Sequence, residues 1–184
     1  APTEDPCNAV LDLSGLDRFS ADVNHIILGD GGVTGFFFNR PAGTIYFAKT
    51  NTLRLWAVGN HPSAGGSANG GLLTGILAQN NGGGLTRLGR FYLGVTNEIY
   101  CNSGLTIAVR GGSGWLGFNP SNAPGSSVAY FRNLAGTGRQ TLWAVGNRLG
   151  AGSLANISGE LDFSLGTVDA LVGTLGIAVS GVAN

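Results

Sequence analysis

The stretch Leu55-Trp56-Ala57-Val58-Gly59-Asn60 recurs without change as Leu142-Trp143-Ala144-Val145-Gly146-Asn147. Each copy reads as a strand running into a turn: Leu and Ala point to one side, Trp and Val to the other, and Gly-Asn breaks the ladder. The flanks correspond as well. Ile45-Tyr46-Phe47 lines up with Ala129-Tyr130-Phe131, each after a Pro and a Gly, and Arg18-Phe19 lines up with Arg90-Phe91. Self-similarity on this scale predicts a tandem duplication. Residues 1–9 form an extended segment, 10–84 a first β repeat and 85–184 a second, the two sharing one core.

Around these copies the chain alternates apolar and small or polar residues with a period of two. Leu171, Gly173, Leu175, Ile177 and Val179 fall on one face of a terminal segment, and Val172, Thr174, Gly176, Ala178 and Ser180 on the other. Similar short runs occur at 36–39, 44–48, 53–58, 72–77, 91–95, 105–110, 128–131, 141–145 and 161–165. Turn clusters such as Gly29-Asp30-Gly31-Gly32 and Asn80-Asn81-Gly82-Gly83-Gly84 separate them. Few windows of helical length lack Gly or Pro, so helices are disfavoured. The expected fold is all-β, an antiparallel β-sandwich or barrel.

Composition narrows the function. The 184 residues carry formal net charge +0 and 11% charged side chains, which supplies no basic stripe for nucleic acid. A hydrophobic fraction of 43% excludes a disordered chain, and 33 glycines imply many turns. No apolar run approaches the roughly 18 to 20 residues of a membrane-spanning helix, so no membrane insertion is expected. The start Ala1-Pro2-Thr3-Glu4 and the absence of Met suit a secreted protein whose signal peptide has been removed. In that compartment Cys7 and Cys101 are expected to form a disulfide, which in the chain-entropy model contributes about 4 to 5 kcal/mol.

Site chemistry is sparse. Gly112-Ser113-Gly114-Trp115-Leu116-Gly117 has the spacing of a dinucleotide-binding loop, but Phe118-Asn119-Pro120 cannot open the helix that would hold a pyrophosphate. The two histidines, His25 and His61, are not matched between the repeats, since His61 corresponds to Arg148. No zinc spacing exists. Glu160 and Asp162, with Asp12, Asp17, Asp22 and Asp30, read as solvated carboxylates more readily than as a calcium loop. Asn156-Ile157-Ser158 is a formal glycosylation acceptor in a eukaryotic secretory pathway. Without a convergent acid, base and nucleophile, no enzyme and no cofactor are expected.

The leading expectation is a secreted structural subunit of an extracellular assembly such as a pilus, filament or sheath. It would be a homo-oligomer or polymer joined through β-strand edges or an exchanged terminal strand. Leu171, Leu175, Ile177 and Val179 mark the candidate exchanged segment. The alternative is a lectin or adhesin domain that binds a glycan through two equivalent sites, Trp56 with Asn60 and Trp143 with Asn147. The sequence favours both tryptophans as core anchors, because a buried Trp contributes a large apolar area. A viral or phage surface protein is the second alternative.

Overall fold

The computed structural model describes residues 8–28, 42–56, 76–78, 89–109, 113–147 and 158–178. These form a three-sided solenoid of five coils, each coil laying one strand on each face. Coil 1 holds β1 (Asn8–Asp12), β2 (Arg18–Val23) and β3 (Ile26–Leu28). Coil 2 holds β4 (Ala42–Tyr46), β5 (Thr50–Leu55) and β6 (Ile76–Ala78), and coil 3 holds β7 (Gly89–Leu93), β8 (Thr96–Cys101) and β9 (Gly104–Val109). Coil 4 holds β10 (Ser113–Phe118), β11 (Ser127–Arg132) and β12 (Gln140–Asn147). Coil 5 holds β13 (Ser158–Asp162), β14 (Gly166–Ala170) and β15 (Val172–Ile177). The first face runs β1-β4-β7-β10-β13, the second β2-β5-β8-β11-β14 and the third β3-β6-β9-β12-β15.

Every strand pairing is parallel, which overturns the expected antiparallel sandwich or barrel. Consecutive strands never pair with each other. Each strand pairs with its counterpart one full coil away, and the turn clusters 29–32 and 80–84 lie outside the described residues. Alternation with a period of two is common to both kinds of ladder, and it cannot tell them apart.

Inward-facing residues stack in columns from coil to coil. On the first face Leu11, Ile45, Phe91, Leu116 and Leu161 share one register position. On the second, Ala21, Leu53, Ile99, Phe131 and Ala170 do the same. The middle coils are closed: Phe91, Ile99, Leu116 and Phe131 are fully buried and belong to one core cluster. Several of the buried polar residues cap the backbone. Asn51 and Asn97, stacked in adjacent coils, hydrogen-bond to each other at 2.9 Å and to the carbonyls of Ala48 and Gly94 at the first corner. Asp12 with Ser14, Asn119 with Ser121 and Asp162 with Ser164 make side-chain-closed turns at that same corner.

The end of the third face needs a left-handed residue. Ala108, Gly146 and Ala178 occupy one register position in coils 3, 4 and 5 and have φ of 62°, 70° and 53°. Glycine takes this conformation without steric cost. The Gly-Asn of the second hexapeptide copy lies within β12, and Asn147 still pairs with Val109.

The matched stretches of the sequence occupy different faces. Leu55 ends β5 on the second face and Trp56 follows it, whereas Leu142 to Asn147 lie in β12 on the third. Residues 57–60, the rest of the first copy, lie outside the described residues. Ile45 is on the first face and Ala129 on the second. The repeating unit that the backbone shows is the single coil.

Among the described residues Cys101 is a free thiol, 1% exposed. Its Sγ lies within 3.3 Å of the Gly104 amide, which donates to it, and 3.2 Å from Ser103 Oγ. Cys7, its expected partner, lies outside the described residues. In a Cys7→Ser protein, Cys101 should stay inert to a thiol reagent such as DTNB until denaturant is added; rapid reaction in the native state would contradict its burial.

Candidate functional site

Two surfaces stand out, the ends of the solenoid and the outer side of its second face. At the ends, residues that point along core columns have nothing stacked beyond them among the described residues. Leu11 is 51% exposed although Ile45, beside it in coil 2, is 4% exposed. At the far end Leu175 is 60% exposed beside Trp143 at 6%, and Ile177 is 71% exposed beside Val145 at 8%. Leu16 and Val23 are exposed at the first end as well. Among the described residues, no strand pairs with the outer edges of β1, β2 and β3 or of β13, β14 and β15. Repeat arrays normally close such ends with a polar cap.

Of the residues singled out for strand exchange, Leu175 and Ile177 lie in β15, which is paired with β12 of its own chain. Leu171 connects β14 to β15, its amide donating to the Phe131 carbonyl, and its carbonyl accepts from Gln140. Val179 lies outside the described residues.

The tryptophans part company. Trp143 is core: its ring meets Phe131 edge-on at 4.7 Å, and its Nε1 donates to Gln140 Oε1 at 2.6 Å. Trp56 is 45% exposed on the outer side of the second face. Its Nε1 donates to Asp22, and the Arg54 guanidinium lies 5.6 Å from its ring centre. The same guanidinium lies 5.6 Å from the Tyr100 ring and donates to the Leu134 carbonyl at 3.0 Å. Burial, aided by the neighbouring Glu98 carboxylate, raises the Tyr100 pKa above that of a free phenol, so the hydroxyl stays protonated and donates to Glu98. Farther along the face, Arg132 pairs with Asp169 at 2.6 Å beside the exposed Tyr130. Asn60 lies outside the described residues, and Asn147 ends β12.

Arg54, Tyr100 and Tyr130 were not singled out as site residues by the sequence, and Asp22 was read as a solvated carboxylate. Each sits at an outward position of an alternating strand, a pattern shared with many solvated residues, so only the register between coils brings them together.

The first face carries a different aromatic arrangement. Tyr46 and Tyr92 stack at 4.5 Å with planes 4° apart, and Tyr92 meets Trp115 at 4.8 Å. Trp115 lies against Gly117, where an added Cβ would sit 2.7 Å from its ring. These rings cover one another's faces, so they brace the coils and offer little surface to a ligand.

The carboxylates do not converge. Asp12 and Asp162 are held below the usual carboxylate range by hydrogen bonds from Ser14 and Ser164, and Asp17 by Lys49 at 2.7 Å. Among the described residues no group of three or more His, Cys, Asp or Glu side chains could hold a metal ion. No protein-family model, curated protein or solved structure matches this chain.

Proposed function

We propose that this chain is a structural subunit that polymerises end to end, the last coil of one copy stacking on the first coil of the next. The observation that carries this reading is the exposure of core-column residues at both ends: Leu11 and Val23 at one, Leu175 and Ile177 at the other. Burying a large aliphatic side chain contributes about 1.5 to 3 kcal/mol. An in-register joint would place Leu161 on Leu11, Ala170 on Ala21 and Leu175 on Ile26, continuing three apolar columns.

The two ends are different surfaces, so the contact is heterologous and propagates as a filament. Three parallel strand ladders would continue through the joint, supplying main-chain hydrogen bonds along every face. One pairing opposes it, because Asp162 would face Asp12 in the same outward column and like charges across a ladder repel. Both aspartates stay charged to low pH, so added salt should lengthen the filaments by screening them. Placement outside the cell belongs to the same proposal and rests on composition, low in charge and rich in Gly and Asn.

Negative-stain microscopy and mass measurements across a concentration series test this. The native protein should form regular rods that lengthen with concentration. A Leu175→Lys, Ile177→Lys protein should remain monomeric with an unchanged far-ultraviolet circular dichroism spectrum. A native protein that stays monomeric at its highest soluble concentration, or rods that persist in the double variant, would refute end-to-end stacking.

A further inference from the structure

On the outer side of the second face, Tyr100 is paired with Arg54 and Tyr130 with Glu98. Trp56 lies two residues beyond Arg54, and Tyr100 two residues beyond Glu98. The three aromatic residues therefore fall on one straight diagonal, each step moving up one coil and back two residues. With strands about 4.8 Å apart and about 3.3 Å per residue, each step is about 8 Å.

We propose that this diagonal binds an extended, neutral pyranose chain. The C–H faces of sugar rings pack on aromatic rings, and sugar hydroxyls exchange hydrogen bonds with carboxylates and guanidinium groups. Both kinds of group are present along the line. Trp56 and Tyr130 remain 45% and 42% exposed at its two ends, and Tyr100 is half-buried between them. Asp22, Arg54, Glu98 and Arg132 border them. Trp56 is also fixed in advance: Asp22 holds its indole N–H and Arg54 lies over its ring, so binding costs little side-chain ordering.

Two steps of about 8 Å set the outer rings about 16 Å apart, longer than one sugar, so the line suits a linear polymer better than a single sugar. Along it Arg54 and Arg132 stand among Asp22, Glu98 and Asp169, with Arg132 paired to Asp169, and this mixture of signs favours a neutral chain over a polyanion. The equivalence expected between Trp56 and Trp143 plays no part, since Trp143 is buried.

The test uses the monomeric Leu175→Lys, Ile177→Lys protein, so that the state of assembly does not enter. Cellohexaose and chitohexaose are titrated by isothermal calorimetry, with maltohexaose as a coiled comparator. At least one of the two extended hexasaccharides should bind saturably and shift the tryptophan emission. Trp56→Ala should remove that binding, and Tyr130→Ala should weaken it about tenfold. Silence with both extended chains would overturn the proposal, and so would a Trp56→Ala protein that binds as its parent does. Equal binding of maltohexaose would overturn the requirement for an extended chain.

Discussion

Replacing Asn97 with alanine is expected to cost about 3 to 4 kcal/mol of folding free energy, read as a lower urea midpoint with an unchanged slope. The carboxamide is fully buried and uses both of its ends. Its oxygen accepts from the Gly94 amide at 3.1 Å and from Asn51 Nδ2 at 2.9 Å. Its nitrogen donates to the Gly94 carbonyl at 2.9 Å and the Val128 carbonyl at 3.1 Å. Truncation strands backbone groups inside the solenoid, where each unsatisfied group costs about 1 to 3 kcal/mol. It also leaves a cavity that the neighbours cannot close, because Gly94 already sits against Ala48. A Cβ at Gly94 would lie 1.7 Å from the Ala48 carbonyl oxygen. Asn51→Ala should cost less, since Asn51 Oδ1 faces no donor and its nitrogen serves only two acceptors. Equal losses at the two positions would show that the bonds to Gly94 and Val128 add nothing.

This pair also shows how much of the fold the sequence carried. The strands were legible because alternation is local: β9, β11, β12 and β15 coincide closely with runs read from apolar spacing alone. Their partners were not legible. Whether Leu53 lies beside its neighbour in sequence or beside Ile99, a coil away, depends on where the chain turns its corners, and connections of very different length reach the same register. The hexapeptide copies show the same dependence on the corners. Leu55 and Leu142 head identical sequences, yet one ends a strand at a corner and the other lies inside a strand, so the residues after them meet different surroundings. A three-residue cue for the first corner was present in Asp12-Leu13-Ser14, Asn119-Pro120-Ser121 and Asp162-Phe163-Ser164, an Asx residue two before a Ser. Of the candidate surfaces, the apolar alternation of Leu175 and Ile177 could be read directly. The aromatic diagonal could not, because it exists only between coils.

Trp143→Ala should destabilise the protein by about 3 to 5 kcal/mol, whereas Trp56→Ala should change its stability by no more than about 1 kcal/mol. Trp143 is packed by Phe131 and Phe163, whose ring centres lie 4.7 and 6.3 Å away, and Phe163 in turn contacts Phe118 across the first corner. Removing the indole therefore empties the place where coils 4 and 5 share their aromatic packing. It also frees Gln140 Oε1, whose side-chain nitrogen still caps the carbonyls of Ile99 and Arg132 at 3.3 and 3.1 Å. That buried amide would lose its only side-chain donor, adding to the cavity cost. Coil 5 is held from one side only, so the damage should reach β15 and its exposed Leu175 and Ile177, and assembly should fail along with stability. Trp56 lies outside the core, its loss removing one hydrogen bond to Asp22 and one ring beneath Arg54, both near solvent. Urea unfolding of the two variants separates them: a large loss at Trp56 with a small one at Trp143 would exchange their places and remove the basis for an open aromatic line on the second face.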